Sequence, residues 1–252
     1  MANIFITGSS DGLGQMAAKA LIEQGHRVVL HARNERRAEE ALANVPGAVT
    51  VLTADLSSME ETKSLAEEVN ALGKFNSIIH NAGLYQVPKY ERSVDNLPLL
   101  LAVNTLAPYI LTCLIQKPER LIYMSSGMHL GGDVTLQGLQ RDKLDISYSD
   151  SKLHDLILSK AVARKWPAVL SNAVDPGWVP TKMGGAGAPD SLEEGFQTQV
   201  WLSVSNDEKA RVCGKYFHHQ REAKYQLASD DVKVQEEFSA LCEKISGVSF
   251  PE

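Results

Sequence analysis

The feature that most restricts what this chain can fold into is a glycine turn placed between a strand and a helix. Residues 3–7 form a short apolar run, and Thr7-Gly8-Ser9-Ser10-Asp11-Gly12-Leu13-Gly14 follows it directly. A helix is expected over 13–24, because Ala17, Ala18, Leu21 and Ile22 recur on one face and Gly25 supplies a stop. Residues 27–31 then read as a second strand. Strand, glycine turn, helix and strand make a βαβ unit, and such a unit commits the chain to a parallel sheet with its helices packed on the faces. Glycines at the first turn of that unit let the backbone approach a pyrophosphate, and the helix N-terminus faces the negative charge.

The alternation continues. Strands are expected at 49–53, 77–80, 120–124, 169–174 and 214–217. Helices are expected at 35–42, 57–72, 99–115, 148–166 and 191–204, and a polar amphipathic helix at 229–245 closes the chain. Ser57 or Ser58 would cap the third helix. The apolar stretch 97–115 is long enough to raise the question of a membrane span, but Pro98, Asn104, Thr105 and Pro108 interrupt it and favour a buried, kinked helix. No repeat or linker divides the sequence, so residues 1–252 are expected to form a single domain.

Charge and cysteine content narrow the partners. With 25 basic and 31 acidic residues the net charge is −6, and no basic run is present, which argues against nucleic acid and against an anionic membrane surface. Cys113, Cys213 and Cys242 are widely spaced and odd in number, as expected of incidental thiols in a reducing compartment such as the cytoplasm. Ile4-Phe5-Ile6 runs into Thr7-Gly8 with no charged leader, unlike a signal peptide. The adjacent His218 and His219 would face opposite sides of a strand, so no metal site is expected there or elsewhere.

The second informative stretch is Tyr148-Ser149-Asp150-Ser151-Lys152. A tyrosine and a lysine at this spacing share one helix face, and an ammonium beside a phenol favours the phenolate. A group whose ordinary pKa is near ~10 then becomes a usable acid or base. After the second strand, where a dinucleotide site usually carries an acid for the ribose hydroxyls, the chain has Ala32 and Arg33. A guanidinium pairs with a ribose 2′-phosphate that a carboxylate would repel, so NADP is expected over NAD, with Asp11 in the glycine turn counting against it.

The glycine spacing T-G-x-x-x-G-x-G resembles that of the short-chain dehydrogenase/reductase family. The same family order is followed by Asp55-Leu56, Asn81-Ala82-Gly83, Val103-Asn104, Ser125-Ser126, Tyr148-x-x-x-Lys152 and Pro176-Gly177. The resemblance implies a Rossmann-type doubly wound parallel sheet of about seven strands in a three-layer α/β/α sandwich. It implies cofactor contacts from Gly8, Ser10, Gly12, Leu13, Gly14, Arg33, Asp55, Leu56, Asn81, Ala82, Gly83, Tyr148 and Lys152. Pro176, Gly177, Val179 and Thr181 would embrace the carboxamide of the nicotinamide. His80 stands where the family has a first asparagine, and is expected to be a satisfied strand-end histidine.

The resemblance also assigns chemistry. Tyr148 would exchange a proton with the substrate oxygen, Ser126 would polarise it, Lys152 would lower the phenol's pKa and hold the cofactor ribose, and Asn104 would anchor a water. Tyr148 comes 22 positions after Ser126, and the extra length at 131–145 resembles an insertion in the retinol-dehydrogenase-like and protochlorophyllide-reductase-like branches. The expected activity is NADP(H)-dependent interconversion of a carbonyl compound and an alcohol. Two alternatives stand beside it: an NAD-linked alcohol dehydrogenase, and a cofactor-sensing protein without turnover. The substrate would be a small molecule met by Tyr85, His129, Trp178, Met183 and a pliable loop within 178–200; Trp178 and Met183 point to an apolar or aromatic compound. Homo-oligomers occur in the family and are possible here.

Overall fold

The structure, a computed structural model, describes residues 1–88, 91–140 and 144–251. In chain order it contains β1 (Asn3–Ile6), α1 (Gly12–Glu23), β2 (Arg27–Ala32), α2 (Glu35–Asn44), β3 (Thr50–Thr53), α3 (Met59–Ala71) and β4 (Ser77–His80). A π-helical turn (Leu101–Leu106) leads into α4 (Ala107–Leu114), and β5 (Arg120–Met124) follows. After a 3₁₀ turn (Gly127–Gly131) come α5 (Gln137–Gln140), α6 (Tyr148–Lys165), β6 (Leu170–Asp175), α7 (Leu192–Val204), β7 (Tyr216–His218), β8 (Arg221–Glu222) and α8 (Val232–Ser246).

The strands form one sheet in the order β3-β2-β1-β4-β5-β6-β7-β8. The first seven pair in parallel, and β8 turns back antiparallel on β7. The eighth strand was not expected; it has two residues, too few to leave a pattern in the sequence. Side chains alternate across β1 as strand geometry requires. Phe5 packs with Val29, Ile78, Leu121, Ile157 and Phe238 on one face. Ile4 and Ile6 pack with Leu21, Leu30, Ile79, Ile122 and Val200 on the other. The sheet is therefore the middle of three layers. Strand order reverses between β1 and β4, which opens a crevice at their carboxyl ends.

Local chemistry sets the helix starts. Ser58 accepts the Glu61 N–H at 3.2 Å and Asn34 accepts the Arg37 N–H at 3.1 Å. Ser147 and Asp150 form a reciprocal capping box that starts α6 at Tyr148. The kink expected in 99–115 takes a specific form. Pro108 has no N–H to give the Asn104 carbonyl four residues earlier, and the winding widens so that the Ala107 N–H reaches the Ala102 carbonyl.

Two histidine expectations need correction. The rings of His218 and His219 stack at 3.8 Å between centroids instead of facing opposite ways. The strand ends at His218, and His219 and Gln220 both take positive φ (47° and 60°) in the tight turn to β8. His80 is buried, but only its Nε2 has a partner, Thr112 at 3.3 Å; Nδ1 has none. Among the described residues no helix is long and apolar enough to cross a membrane.

Burial depresses three imidazoles far below their ordinary value: His31 to about 4, His154 to about 4 and His80 to about 3. Each is neutral when folded and takes up a proton when the chain unfolds below pH ~6.5, so their contribution to stability is full above that pH and falls towards pH ~4. Three such groups give a slope of up to about 4 kcal/mol per pH unit in that window. Urea unfolding at pH 7.5 and 5.5 should show a clearly lower midpoint at the acidic value.

Candidate active site

The crevice at the switch point is a cavity of about 480 Å³. Its floor depends on two glycines. Gly8 has φ +62°, and a Cβ there would lie 2.7 Å from the Ala82 Cα; a Cβ on Gly14 would lie 2.4 Å from Asn81 Nδ2. The closeness reflects a clasp between the ends of β1 and β4. The amide N–H groups of Asn81 and Ala82 both donate to Thr7 Oγ1 at 3.0 Å, and Asn81 Nδ2 donates to the Thr7 and Gly8 carbonyls at 3.0 Å. Gly14 thus packs beneath the cavity, while Gly8, Ser10, Gly12, Leu13, Asn81, Ala82 and Gly83 line it.

At the far end of β2 the buried His31 ties three elements together. Its Nδ1 accepts the Gly8 N–H at 2.9 Å and its Nε2 pairs with the Ala54 carbonyl at 3.0 Å. These partners require the neutral ring with its proton on Nε2. Ala54, Asp55, Leu56 and the exposed Arg33 form this wall of the cavity.

Asp11 does not stand alone in the glycine turn. Lys182 forms an ion pair with it, and Arg37 reaches it at 3.2 Å while also bonding Ser10 Oγ at 3.2 Å. Burial works to raise the Asp11 carboxyl, but Lys182, the Gly12 N–H and Arg37 outweigh it and hold the group below the usual carboxylate range. Lys182 also lines the cavity. Arg37 and Lys182 were not expected from the sequence. Arg37 had a local signal, since the Asn34 cap places it in the first turn of α2, but Lys182 is 171 positions from Asp11.

Tyr148 and Lys152 occupy the opposite wall. The Ser126 side chain lies near enough to the phenol to favour the phenolate. Burial pushes the phenol upward, against the pull of Lys152 and Ser126, so Tyr148 holds its proton here. Lys152 donates to the Met124 carbonyl and to Asp155 Oδ2, both at 2.7 Å. Burial acts to lower the ammonium, but Asp155 and Tyr148 prevail and raise it. Ser125 lines the cavity and bonds the Lys152 carbonyl at 2.8 Å.

Asn104 lies behind this wall. Its side chain accepts the Leu84 N–H at 2.8 Å and donates to the Leu84 carbonyl at 2.8 Å and Ser151 Oγ at 3.0 Å. Both amide N–H groups are therefore committed to protein partners, and the main-chain Asn104 carbonyl, which Pro108 cannot bond, is open to a water. Pro176 and Thr181 line the cavity, whereas Gly177 and Val179 shape the loop beneath it. Gly177 has φ +81°, with Asp190 Oδ2 2.6 Å from the position of a Cβ, and Val179 is buried against Gly195.

Toward the substrate side, Tyr85 packs edge-on against Tyr148 at 4.7 Å between centroids. Met183 lines the cavity, and Trp178 is 60% exposed with its indole N–H bonded to the Gly184 carbonyl at 2.8 Å. His129 does not join them as expected. It is fully buried between the Ser126 carbonyl (2.6 Å) and the Gln226 N–H (3.2 Å). Of the extra segment 131–145, residues 141–143 lie outside the described residues. The rest includes α5, and the Asp133 carboxylate accepts the Thr135 hydroxyl at 2.6 Å and the Gln137 N–H at 3.1 Å.

Comparison with known proteins fits this geometry. Residues 2–192 match the family described as short chain dehydrogenase. An uncharacterised oxidoreductase of Emericella nidulans is 47% identical over 100% of this chain and 99% of its own. Retinol dehydrogenase 14 of Mus musculus is 25% identical over 97% of this chain and 86% of its own. Among solved structures, an uncharacterised protein from Mycobacterium paratuberculosis superposes with a TM-score of 0.84 at 23% identity, covering 100% of this chain and 96% of that one.

Proposed function

The chain belongs to the short chain dehydrogenase family and is an oxidoreductase of the NAD(P)-binding kind; from that premise we propose that it interconverts a carbonyl compound and an alcohol with NADP(H), using Tyr148 as the acid and base. The observation that carries the reading is the placing of Tyr148 and Lys152 together on one wall of a cavity whose other end is a glycine cradle, with Ser126 next to the phenol just outside the cavity lining.

The cradle fits a dinucleotide. Gly12 lines the cavity at φ +53°, with Thr181 Cγ2 3.9 Å from where a Cβ would stand, so the backbone there can come close to a pyrophosphate, and the α1 N-terminus faces it. Gly8, Ser10, Gly12 and Leu13 would hold the phosphates, Asp55 and Leu56 the adenine, and Asn81 to Gly83 the ribose side. Pro176 and Thr181 would hold the nicotinamide end. The bound cofactor supplies or accepts the hydride. Ser126 donates a hydrogen bond to the substrate oxygen as negative charge develops there. Tyr148 gives that oxygen its proton in reduction and takes it back in oxidation, and Lys152 stabilises the phenolate in between. Asn104, pinned to Leu84 and Ser151, fixes the backbone behind Lys152.

The preference for NADP rests on charge. Asp11 was the group opposing a 2′-phosphate, and Arg37 and Lys182 neutralise it while Arg33 adds a free guanidinium at the same rim. Tyr85, Met183 and the exposed face of Trp178 favour an apolar or aromatic substrate. Fluorescence titration with NADPH and NADH separately tests the reading. NADPH should bind at least ~10-fold tighter, and Arg37→Ala should remove most of that preference, as expected for a charge-assisted contact of about 1.5–3 kcal/mol. Tighter NADH would overturn the NADP assignment and favour the NAD-linked alternative. Binding of neither would favour a protein that has lost turnover.

A further inference from the structure

Lys152 has a partner that the mechanism so far does not use. Asp155 lies one turn further along α6, its side chain 5% exposed, with Oδ2 at 2.7 Å from the lysine Nζ. A carboxylate so deeply buried is costly, and an apolar or amide side chain would pack there more cheaply. Its position next to the cavity-lining lysine therefore calls for an explanation. Lys152 is itself buried, and burial alone would favour loss of its proton. The Met124 carbonyl offers a hydrogen bond but no charge. Asp155 supplies charge, and Tyr148 adds to it, so the ammonium does not depend on Asp155 alone. With two of the three ammonium N–H groups directed to Met124 and Asp155, the third remains for the cavity side, where Tyr148 and Gly83 lie.

We propose that Asp155 is a positioning residue of the reaction: its carboxylate aims Lys152 and, by placing a negative charge near the phenol, sets the pH at which Tyr148 changes protonation. The inference rests on the reading of Tyr148 as the acid and base. Two opposed fields reach the phenol from α6, with Lys152 favouring the phenolate and Asp155 disfavouring it. The other groups facing this cluster are Asp175 on β6, which also disfavours the phenolate, and the phenols of Tyr123 on β5, Tyr216 on β7 and Tyr85 after β4. Among the described residues, Lys152 is the cation whose field reaches the Tyr148 phenol. Asp155 thus moderates the lysine: it holds the ammonium in place at the expense of part of the ammonium's effect on the phenol.

The test is the pH profile of alcohol oxidation, whose rising limb reports loss of the Tyr148 proton. Asp155→Asn keeps the shape and removes the charge. Its limb should move to lower pH by on the order of one unit, while Asp155→Glu should stay within a few tenths of the wild-type position. A folded Asp155→Asn whose limb does not move, or moves upward, would overturn the proposal and leave Asp155 a packing residue. The wild-type protein offers a measurement that needs no variant. The carbon-13 carboxyl signal of Asp155 should remain in its ionised position through neutral pH, and a protonated Asp155 across the range in which Tyr148 titrates would equally sink the idea. Tyr148→Phe separates the two levels. If it retains turnover, the reading of Tyr148 fails; if it is inactive while the Asp155→Asn limb is unmoved, only the role of Asp155 fails.

Discussion

Tyr148→Phe is expected to lower turnover by ~10³-fold or more, in the upper part of the range for losing a positioned acid, with NADPH affinity nearly intact. The change removes one oxygen. The aromatic ring, its edge contact with Tyr85 and its place at the start of α6 all remain. What is lost is the hydroxyl that lies near Ser126 and Lys152. Without it, charge on the substrate oxygen can be met by a hydrogen bond from Ser126 but not by a proton. Stopped-flow turnover and an independent cofactor titration would check both halves of the expectation. Retained turnover would remove Tyr148 from its role, and lost NADPH binding would mean that the ring supports the cradle instead.

The second large effect is expected at a position far from the proton transfer. Gly8→Ala places a methyl group 2.7 Å from the Ala82 Cα and asks alanine to hold φ +62°. The neighbour is main chain, fixed by the Thr7 and Asn81 hydrogen bonds, so it cannot step aside as a flexible side chain would. Left-handed backbone strain and overpacking together should cost about 2–5 kcal/mol. For a chain of this size that corresponds to a fall in melting temperature of roughly 5–15 °C. NADPH affinity should fall as well, because the shift that relieves the contact opens the floor of the cradle. A melting temperature within a degree of wild type would show that β1 and β4 are not clasped as described.

These two residues were legible in the sequence because their meaning is local. A glycine turn between an apolar strand and an amphipathic helix, and a tyrosine one turn before a lysine, each state their geometry within a few positions. The same holds for most strands and helices, whose periodicity is set by the core they face. Features that depend on distant partners were not legible. Asp11 read as an obstacle to a phosphate until Lys182 and Arg37 were seen beside it. His31 read as a strand residue, although it joins the glycine turn to the end of β3. His129 was expected at the substrate wall, but its two ring nitrogens are occupied by main-chain groups on either side. The stacking of His218 on His219 depends on positive φ at two residues that are not glycine, a choice no side-chain pattern announces. Asp155 sits in an otherwise ordinary helical repeat, and only burial against Lys152 gives it significance.

Strand order also has a consequence for how the chain acquires its structure during synthesis. With β1 between β2 and β4, the first three strands can pair as soon as residue 53 has emerged, but one edge of β1 stays open. That edge carries Ile4, Phe5 and Ile6, all fully buried in the finished protein. It is closed only by β4, some seventy residues later in the chain. From then on every new strand, β5 to β8, adds to the same advancing side. An apolar edge is therefore open at each stage of synthesis, first that of β1 in the nascent three-strand sheet and then those of β4 and β5, the kind of surface that chaperones shield and that aggregates when they do not.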